Sequence, residues 1–330
     1  MVTIFLFSLF AAAAVLRRFL PFPQIDGIEP KLAWLALHGA RYDTLFVGSS
    51  RVYDAVVPQE FDAAMTGAGR PTRSFNLAYK GMRPPENSYV LDHALAEKRP
   101  WRFVIVEADE IPVKIRREVE GTRRGAYWCD LRRMQAVAEQ VIGVTEGDRG
   151  WSAYWRGRRA LRREMPRHLI PFLFWATNLG RGDVLLRSED RDWDRWLGDR
   201  RDGYTDDSHK TMALSDVEEF VSTWRPQDDV SRRASEASQQ LFAEMERQIV
   251  NSGGQMILLI PPRFEKGSYL PDPKRFPHLA VLDFSDPRRY PELYEASHRA
   301  DPDHLNVDGA LIFTRLLATR LNEALALEGR

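Results

Sequence analysis

The chain has 330 residues, 44% of them hydrophobic and 28% charged, so it can bury a sizeable core and is not predominantly disordered. Its 47 basic and 47 acidic side chains balance, which excludes a global basic field, and we therefore expect no nucleic-acid partner. The single cysteine, Cys129, excludes an internal disulfide framework and a cysteine-based zinc cluster.

The first predicted element is an uncharged apolar run over residues 2–16, which Arg17 and Arg18 follow. A spanning helix needs about 20 apolar residues, so the run is short. Three interpretations stay open: the core of a signal peptide, a short membrane anchor, or a buried N-terminal helix. A signal peptide usually has basic residues before its apolar run, and arginines after an anchor favour a cytoplasmic location for the rest of the chain. Because the run has no polar face, residues 1–20 favour a membrane-tethered protein on the extracytoplasmic, periplasmic side, with a cytoplasmic location as the alternative.

Five short apolar runs predict the strands of a sheet. They are continuous rather than alternating, which is typical of parallel strands that are covered on both faces. The predicted strands are Leu45–Val47, Ser74–Ala78, Phe103–Val106, Met256–Ile260 and Ala280–Phe284.

Helical segments are predicted between these strands and after the last of them. In the final segment, apolar residues repeat every four positions and make a stripe that can pack on the sheet. The order of elements predicts an α/β fold, a three-layer sandwich with a mostly parallel, flavodoxin-like sheet. The predicted helices are Pro58–Met65, Pro85–Glu97, Ser231–Val250 and Asp308–Leu327, and the stripe consists of Phe313, Leu317, Leu321 and Leu325.

Residues 112–226 do not follow this alternation. They are rich in arginine and tryptophan and predict a helical insertion that interrupts an α/β domain over residues 40–330. An insertion at the carboxyl end of a strand lies beside the ligand crevice of such a sheet, so we expect a lid or a docking surface. The most apolar part, His168–Leu179, favours an internal core helix, and contact with lipid is the alternative.

Two clusters far apart in the chain carry residues suited to nucleophilic catalysis. Ser50 comes directly after the first predicted strand, and Gly48 permits a tight turn before it. Asp301 and His304 lie in one turn just before the last helix. A serine becomes a nucleophile when a base is in hydrogen-bond reach and an acid orients that base. The predicted fold brings both clusters to one edge of the sheet, with Asp303 as the rival orienting acid.

These residues resemble the sequence blocks of the SGNH (GDSL-like) hydrolase superfamily. Gly48-Ser49-Ser50 matches the first block, and Asp301 to His304 matches the Asp-x-x-His of the last block. Asn76 to Gly81 looks like the second block. The N-terminal run and the Asp301 to Asn306 ending are most similar to the membrane-associated branch, with its polysaccharide O-acetylation and wall D-alanylation proteins. The resemblance covers about residues 40–110 and 230–330 and leaves the insertion unexplained.

The resemblance implies an oxyanion hole that stabilises the tetrahedral intermediate. Its expected donors are the backbone N–H groups of Ser50, Ala78 and Gly81, together with Asn76. The family's third block, Gly-x-Asn-Asp, supplies a further donor from its Asn, but residues 106–110 here read Val-Glu-Ala-Asp-Glu. An ionised carboxylate cannot donate a hydrogen bond, so another group has to replace that donor. The candidates are Asn76, Lys80 and Arg51.

The resemblance therefore implies a serine esterase or O-acyltransferase that acts on acyl esters, with a cell-surface polysaccharide as the expected substrate. Ser50 would be the nucleophile, His304 the base and Asp301 its orienting acid, with no cofactor and no metal. The alternative is a non-catalytic envelope protein that binds glycan or a membrane-bound acyltransferase partner, using aromatic side chains of the insertion.

Overall fold

Five parallel strands form the central sheet of the computed structural model, which describes residues 1–96, 99–114, 119–143, 151–184, 192–205, 209–224, 232–264 and 269–328. The strands are β1 (Thr44–Val47), β2 (Ser74–Asn76), β3 (Phe103–Glu107), β4 (Arg232–Arg233), β5 (Gln255–Ile260), β6 (Tyr269–Leu270) and β7 (Ala280–Asp283). The sheet has the order β2-β1-β3-β5-β7, while β4 and β6 form a separate parallel pair. This order confirms the flavodoxin-like arrangement that the sequence predicts.

The helices of the described residues lie before, between and after these strands. Three of the four predicted helices begin and end within two residues of their expected bounds, while Glu97 and Ser231 lie outside the described residues. The helices are α1 (Val2–Arg17), α2 (Ile28–His38), α3 (Ser50–Tyr53), α4 (Pro58–Gly67), α5 (Glu86–Leu95), α6 (Arg123–Ala126), α7 (Leu131–Gly143), α8 (Trp151–Thr177), α9 (Trp193–Leu197), α10 (Leu214–Thr223), α11 (Glu236–Asn251) and α12 (Val307–Glu328).

Helices cover both faces of the sheet and make three layers. Successive strand residues point to opposite faces, so Leu45 and Val47 join the core beneath α2, α5, α7 and α11, while Phe46 joins the core beneath α4 and α12. The predicted stripe of α12 lies in this second core, with Phe313 and Leu317 fully buried. The three-layer α/β fold is thus the one that the apolar runs predict.

The insertion between β3 and β5 packs into the first core rather than forming a separate body. Val137 and Val141 of α7 are buried in the same cluster as the strand residues. Residues 202–203 also run beside β2, where the Asn76 N–H donates to the Asp202 carbonyl over 2.7 Å. The insertion therefore covers one edge of the sheet.

The His168–Leu179 segment is only partly the internal core helix that the sequence favours. His168 and Ala176 are buried, but the larger apolar side chains around them are exposed. Residues 168–177 belong to α8, whose two faces differ because one packs on α1, α6 and α7 and the other has no covering element among the described residues. The exposed side chains are Leu169, Ile170, Leu173, Phe174 and Leu179.

The N-terminal apolar run forms α1, which docks on the end of α8. The Arg17 guanidinium donates to the carbonyls of Trp175 and Ala176 over 2.7 and 2.8 Å, and the Asn178 amide donates to the Ala13 carbonyl over 2.7 Å. Of the α1 side chains only Ala13 is buried, so a buried N-terminal helix is not what this run forms. None of the helices in the described ranges is both long and apolar enough to cross a membrane.

Candidate active site

The Ser50 loop, residues 48–50, connects β1 to α3. Ser49 caps this short helix, its hydroxyl accepting the Arg51 N–H over 3.3 Å, and Ser50 is the first helical residue. A Cβ at Gly48 would lie 2.6 Å from a Val52 methyl carbon and 2.7 Å from a Glu107 carboxylate oxygen. Only glycine fits at that position, so the turn that presents Ser50 depends on it.

His304 and Ser50 meet at the carboxyl edge of the sheet although 254 positions separate them in the chain. His304 Nε2 lies 2.7 Å from Ser50 Oγ, and His304 Nδ1 lies 2.8 and 2.9 Å from the two carboxylate oxygens of Asp301. An ionised carboxylate only accepts, so Nδ1 carries the proton that is donated to Asp301. Nε2 then accepts the hydrogen bond of the Ser50 hydroxyl, which is the geometry of a nucleophile and its general base.

Asp301 is held ionised by the groups that donate to it. Burial by itself raises the pKa of Asp301, but the His304 side chain and the backbone N–H groups of Asp303 and His304 outweigh it and lower the pKa below its ordinary value. The Asp303 and His304 N–H groups lie 2.8 and 3.0 Å from Asp301 Oδ1. Asp303, the rival orienting acid, is exposed and reaches this site only through its backbone.

A buried arginine fixes the turn that carries Asp301 and His304. The Arg299 side chain donates to the carbonyls of Leu293, Asp301 and Pro302 over 3.1, 3.3 and 2.6 Å. Burial lowers the pKa of Arg299 to about 10, which leaves the guanidinium charged at neutral pH. Sequence reasoning missed Arg299, because nothing in the chain near it distinguishes it from a surface arginine.

Two buried carboxylates at the end of β3, Glu107 and Asp109, anchor the Ser50 loop. Glu107, 2% exposed, accepts the Ser49 N–H over 2.5 Å and Arg51 Nε over 2.8 Å. Asp109, which is also buried, accepts a hydrogen bond from Arg51 over 3.1 Å and two from Arg83 over 2.6 and 2.7 Å. Burial by itself raises the pKa of Asp109, but these arginines outweigh it and lower the pKa. The departure from the family pattern is therefore an ion-pair network that holds the turn before Ser50.

Two of the expected oxyanion donors are engaged elsewhere, which corrects the prediction. The Asn76 amide donates to the carbonyls of Val52, Tyr53 and Val56 over 3.1, 3.3 and 2.9 Å, while its oxygen accepts the Ala78 N–H over 3.1 Å. Asn76 and Ala78 therefore stabilise the end of α3 and the loop after β2. The Asn76 amide is occupied by buried backbone carbonyls that need a donor, and the Ala78 N–H is occupied by the Asn76 side-chain oxygen.

The backbone N–H groups of Ser50 and Gly81 stay candidates for the oxyanion hole. Neither donates to an acceptor within the part of the chain that the structure describes. Gly81 has a φ of +69°, a left-handed conformation that glycine adopts without strain. Of the other replacements, Arg51 is tied to Glu107 and Asp109, and the Lys80 ammonium lies 4.0 Å from Asp54.

The insertion reaches both sides of the Ser50–His304 pair. On the Ser50 side, the Tyr53 and Thr205 hydroxyls lie 2.5 Å apart. On the His304 side, the Met212 N–H donates to the Arg299 carbonyl over 2.7 Å, and the Asn306 amide donates to the Lys210 carbonyl over 3.2 Å. This agrees with the expectation that the insertion lies beside the crevice.

Lys31 of α2 is a second residue that sequence reasoning missed. Its ammonium is fully buried and donates to the carbonyls of Asn76, Ala78 and Gly203 over 2.8, 2.9 and 2.7 Å. It also lies 4.4 Å from the centre of the Tyr53 ring, on the helix that Ser50 begins. Lys31 thereby fastens the second-block loop to the insertion.

Among the described residues, no group of three His, Cys, Asp or Glu side chains is arranged to hold a metal ion. Comparison with models of known protein families found no match, and no curated protein sequence matches the chain either. The site therefore has to be interpreted from its own geometry.

Proposed function

We propose that this protein is a serine esterase or O-acyltransferase of the SGNH type. The observation that carries the proposal is the hydrogen-bonded chain from Ser50 Oγ through the His304 imidazole to Asp301. The fold supports it, because the three residues lie where the carboxyl ends of parallel strands place ligand sites. The sequence blocks around Ser50 and His304 agree with this assignment.

The proposed reaction begins with three groups in hydrogen-bond reach of one another, which are Ser50, His304 and Asp301. Ser50 Oγ attacks the acyl carbonyl while His304 Nε2 takes the hydroxyl proton, and Asp301 stabilises the resulting imidazolium. The backbone N–H groups of Ser50 and Gly81 stabilise the oxyanion of the tetrahedral intermediate. His304 then returns the proton to the leaving alcohol, which leaves an acyl group on Ser50. Water or a sugar hydroxyl attacks this acyl enzyme with His304 again as base.

The proposed substrate is an acylated polysaccharide at the cell surface, with the protein tethered through α1 on the periplasmic side. The exposed apolar side chains of α1, such as Phe5 at 66% and Phe7 at 75%, support contact with a membrane. The resemblance to polysaccharide O-acetylation and wall D-alanylation proteins supports the acyl and polysaccharide part. A membrane-bound acyltransferase is the proposed partner that would supply or receive the acyl group.

A fluorophosphonate probe that labels activated serines tests the nucleophile. We expect the intact protein to be labelled, and Ser50→Ala and His304→Ala to lose the label. Ser49→Ala is the matched control, because Ser49 is the adjacent hydroxyl and only caps α3. Labelling of Ser50→Ala at the wild-type rate would refute the assignment.

Hydrolysis and transfer are separated by adding an acceptor. The protein is incubated with p-nitrophenyl acetate in the presence and absence of an oligosaccharide, and mass spectrometry reads acetylation of the oligosaccharide. An O-acyltransferase forms acetylated sugar in proportion to the p-nitrophenol released. An esterase releases p-nitrophenol and acetate without acetylating the sugar.

The non-catalytic alternative has one observation in its favour. The strand end at Glu107 lacks the family's oxyanion Asn, and losing one such donor costs roughly 2.7–4 kcal/mol of transition-state stabilisation. A protein that never reacts with the fluorophosphonate, yet is retained on acetylated polysaccharide, would favour this alternative.

A further inference from the structure

A large cavity lies where α1 meets α8, apart from the Ser50–His304 site. It has a volume of about 870 Å³, which is within the range of small-molecule binding sites. Its walls come from the end of α1 and the segment after that helix, from α5 and α6, and from the second half of α8. None of Ser50, His304 and Asp301 lines it.

The inner wall of the cavity is apolar and aromatic. Phe22 packs edge to face on Tyr127 at 5.4 Å and on His93 at 5.0 Å, and Tyr127 packs on Tyr89 at 5.3 Å. Burial lowers the pKa of His93, so its ring is neutral at neutral pH. The surface offered to a ligand is therefore suited to a hydrocarbon chain.

The charges around the cavity are predominantly positive. Four arginines and one acidic residue, Glu120, line it. Arg17 donates to amide and carbonyl oxygens, which carry no net charge, and Arg167 lies 3.6 Å from the buried Glu164. An anionic group at the cavity is therefore favoured over a cationic one. The arginines are Arg17, Arg123, Arg167 and Arg181.

The exposed surface around the cavity is also apolar. Ile170 and Phe174 both line it and remain 61% and 43% exposed, and the exposed side chains of α1 lie on the neighbouring helix. A ligand that arrives from an apolar layer would reach the cavity along side chains of the same character. Basic groups beside an exposed apolar surface are typical of proteins that bind the membrane interface.

We propose that this cavity binds one acyl chain of an anionic membrane lipid, with the lipid headgroup held by the lining arginines. The chain lies against the aromatic wall of Phe22, Tyr89 and Tyr127. The proposal stands independently of the chemistry at Ser50, and binding is therefore measured on Ser50→Ala protein.

Acyl-chain binding in the cavity is tested with the fluorescent fatty acid cis-parinaric acid as the probe. Saturated fatty acids of eight to fourteen carbons, kept below their micelle concentrations, are added to displace it. Each added methylene should tighten binding about three- to fourfold until the cavity is full. Ile170→Trp fills the mouth and should weaken binding roughly tenfold or more. Leu169→Trp is the matched control, because Leu169 is its exposed neighbour on α8 and does not line the cavity.

The role of the lining arginines in binding an anionic headgroup is tested by comparing the affinity for dodecanoate with that for dodecanol. Arg167→Glu should weaken dodecanoate binding and leave dodecanol binding unchanged. Arg163→Glu, which pairs with the same Glu164 but does not line the cavity, should change neither. Vesicles that contain phosphatidylglycerol should displace the probe, and vesicles of phosphatidylcholine alone should not.

Three results would overturn the proposal. Equal weakening by Ile170→Trp and Leu169→Trp would place the probe on the outer surface instead of in the cavity. Affinity that does not change with chain length would exclude an acyl-chain site. Displacement by free fatty acids but not by phosphatidylglycerol vesicles would exclude a membrane lipid as the occupant.

Discussion

Glu107→Gln tests whether this buried carboxylate positions Ser50, the proposed nucleophile. Glu107 accepts from the Ser49 N–H and from Arg51 Nε, one on each oxygen. Glutamine keeps the shape but has one accepting oxygen, and its NH₂ group would face a donor. The variant can therefore keep one of the two hydrogen bonds at most.

The expected cost comes from these two contacts. A hydrogen bond to a charged group contributes about 1.5–3 kcal/mol, and Glu107 is 2% exposed, so solvent does not replace the lost bond. We expect the free energy of unfolding to fall by about 1.5–3 kcal/mol. A displacement of about 1 Å at a catalytic group can cost about 100-fold in rate, so we expect kcat for ester hydrolysis to fall by about that factor.

Urea denaturation and steady-state hydrolysis of p-nitrophenyl acetate measure the two effects. Asp109→Asn is the matched control, because Asp109 shares Arg51 with Glu107 but accepts nothing from Ser49. It should lose stability with a much smaller loss of kcat. If Glu107→Gln were destabilised and kept wild-type kcat, the anchoring role of Glu107 would be wrong.

Three further changes have defined outcomes. Asp301→Asn should lower kcat for ester hydrolysis by about 10²–10⁴-fold, whereas Asp303→Asn, on the exposed neighbour, should keep wild-type kcat. Gly48→Ala should lower the free energy of unfolding, measured by urea denaturation, by about 1–3 kcal/mol, because the added Cβ meets Val52 and Glu107. Gly67→Ala is the control and should not be destabilised, because a Cβ there meets no atom within 4 Å. Burial raises the pKa of Asp202 from 3.8 to about 6, so the folded state binds the Asp202 proton more tightly than the unfolded state does. The free energy of unfolding should therefore fall by up to about 3 kcal/mol as the pH rises from 3.8 to about 6. Asp202→Asn should remove this loss, and a wild-type pH dependence of urea denaturation in the variant would contradict the assignment.

The sheet and the proposed triad could be predicted from local patterns. Each core strand is a short apolar run, and Ser50 and His304 lie directly beside predicted elements, so topology alone brings them to one edge. Their hydrogen bond across 254 positions agrees with this placement, while the roles proposed for them rest also on the resemblance to the SGNH superfamily.

The other contacts between polar groups from distant segments could not be predicted. Helix α2 buries Glu29 and Lys31 together with Ile28, Leu32 and Leu35, so charged residues interrupt the apolar pattern of its buried side and hide its periodicity. Glu107 reaches Ser49 across 58 positions, and its type alone indicated only the loss of a donor. The pair of β4 and β6 spans two residues per strand, too short for any alternation to show.

The three carbonyls around Lys31 also make the insertion indispensable to the rest of the domain. One belongs to Asn76, the last residue of β2, and one to Ala78 in the loop after it, while the third, that of Gly203, is 172 positions away from Lys31 along the chain. Removing the insertion would leave the buried Lys31 ammonium without one of its acceptors and would expose the backbone of β2 at Asn76. The sheet and its flanking helices alone are therefore a poor starting point for engineering. The insertion looks like an appendage in the sequence, but it covers an edge of the sheet that a shortened domain would expose.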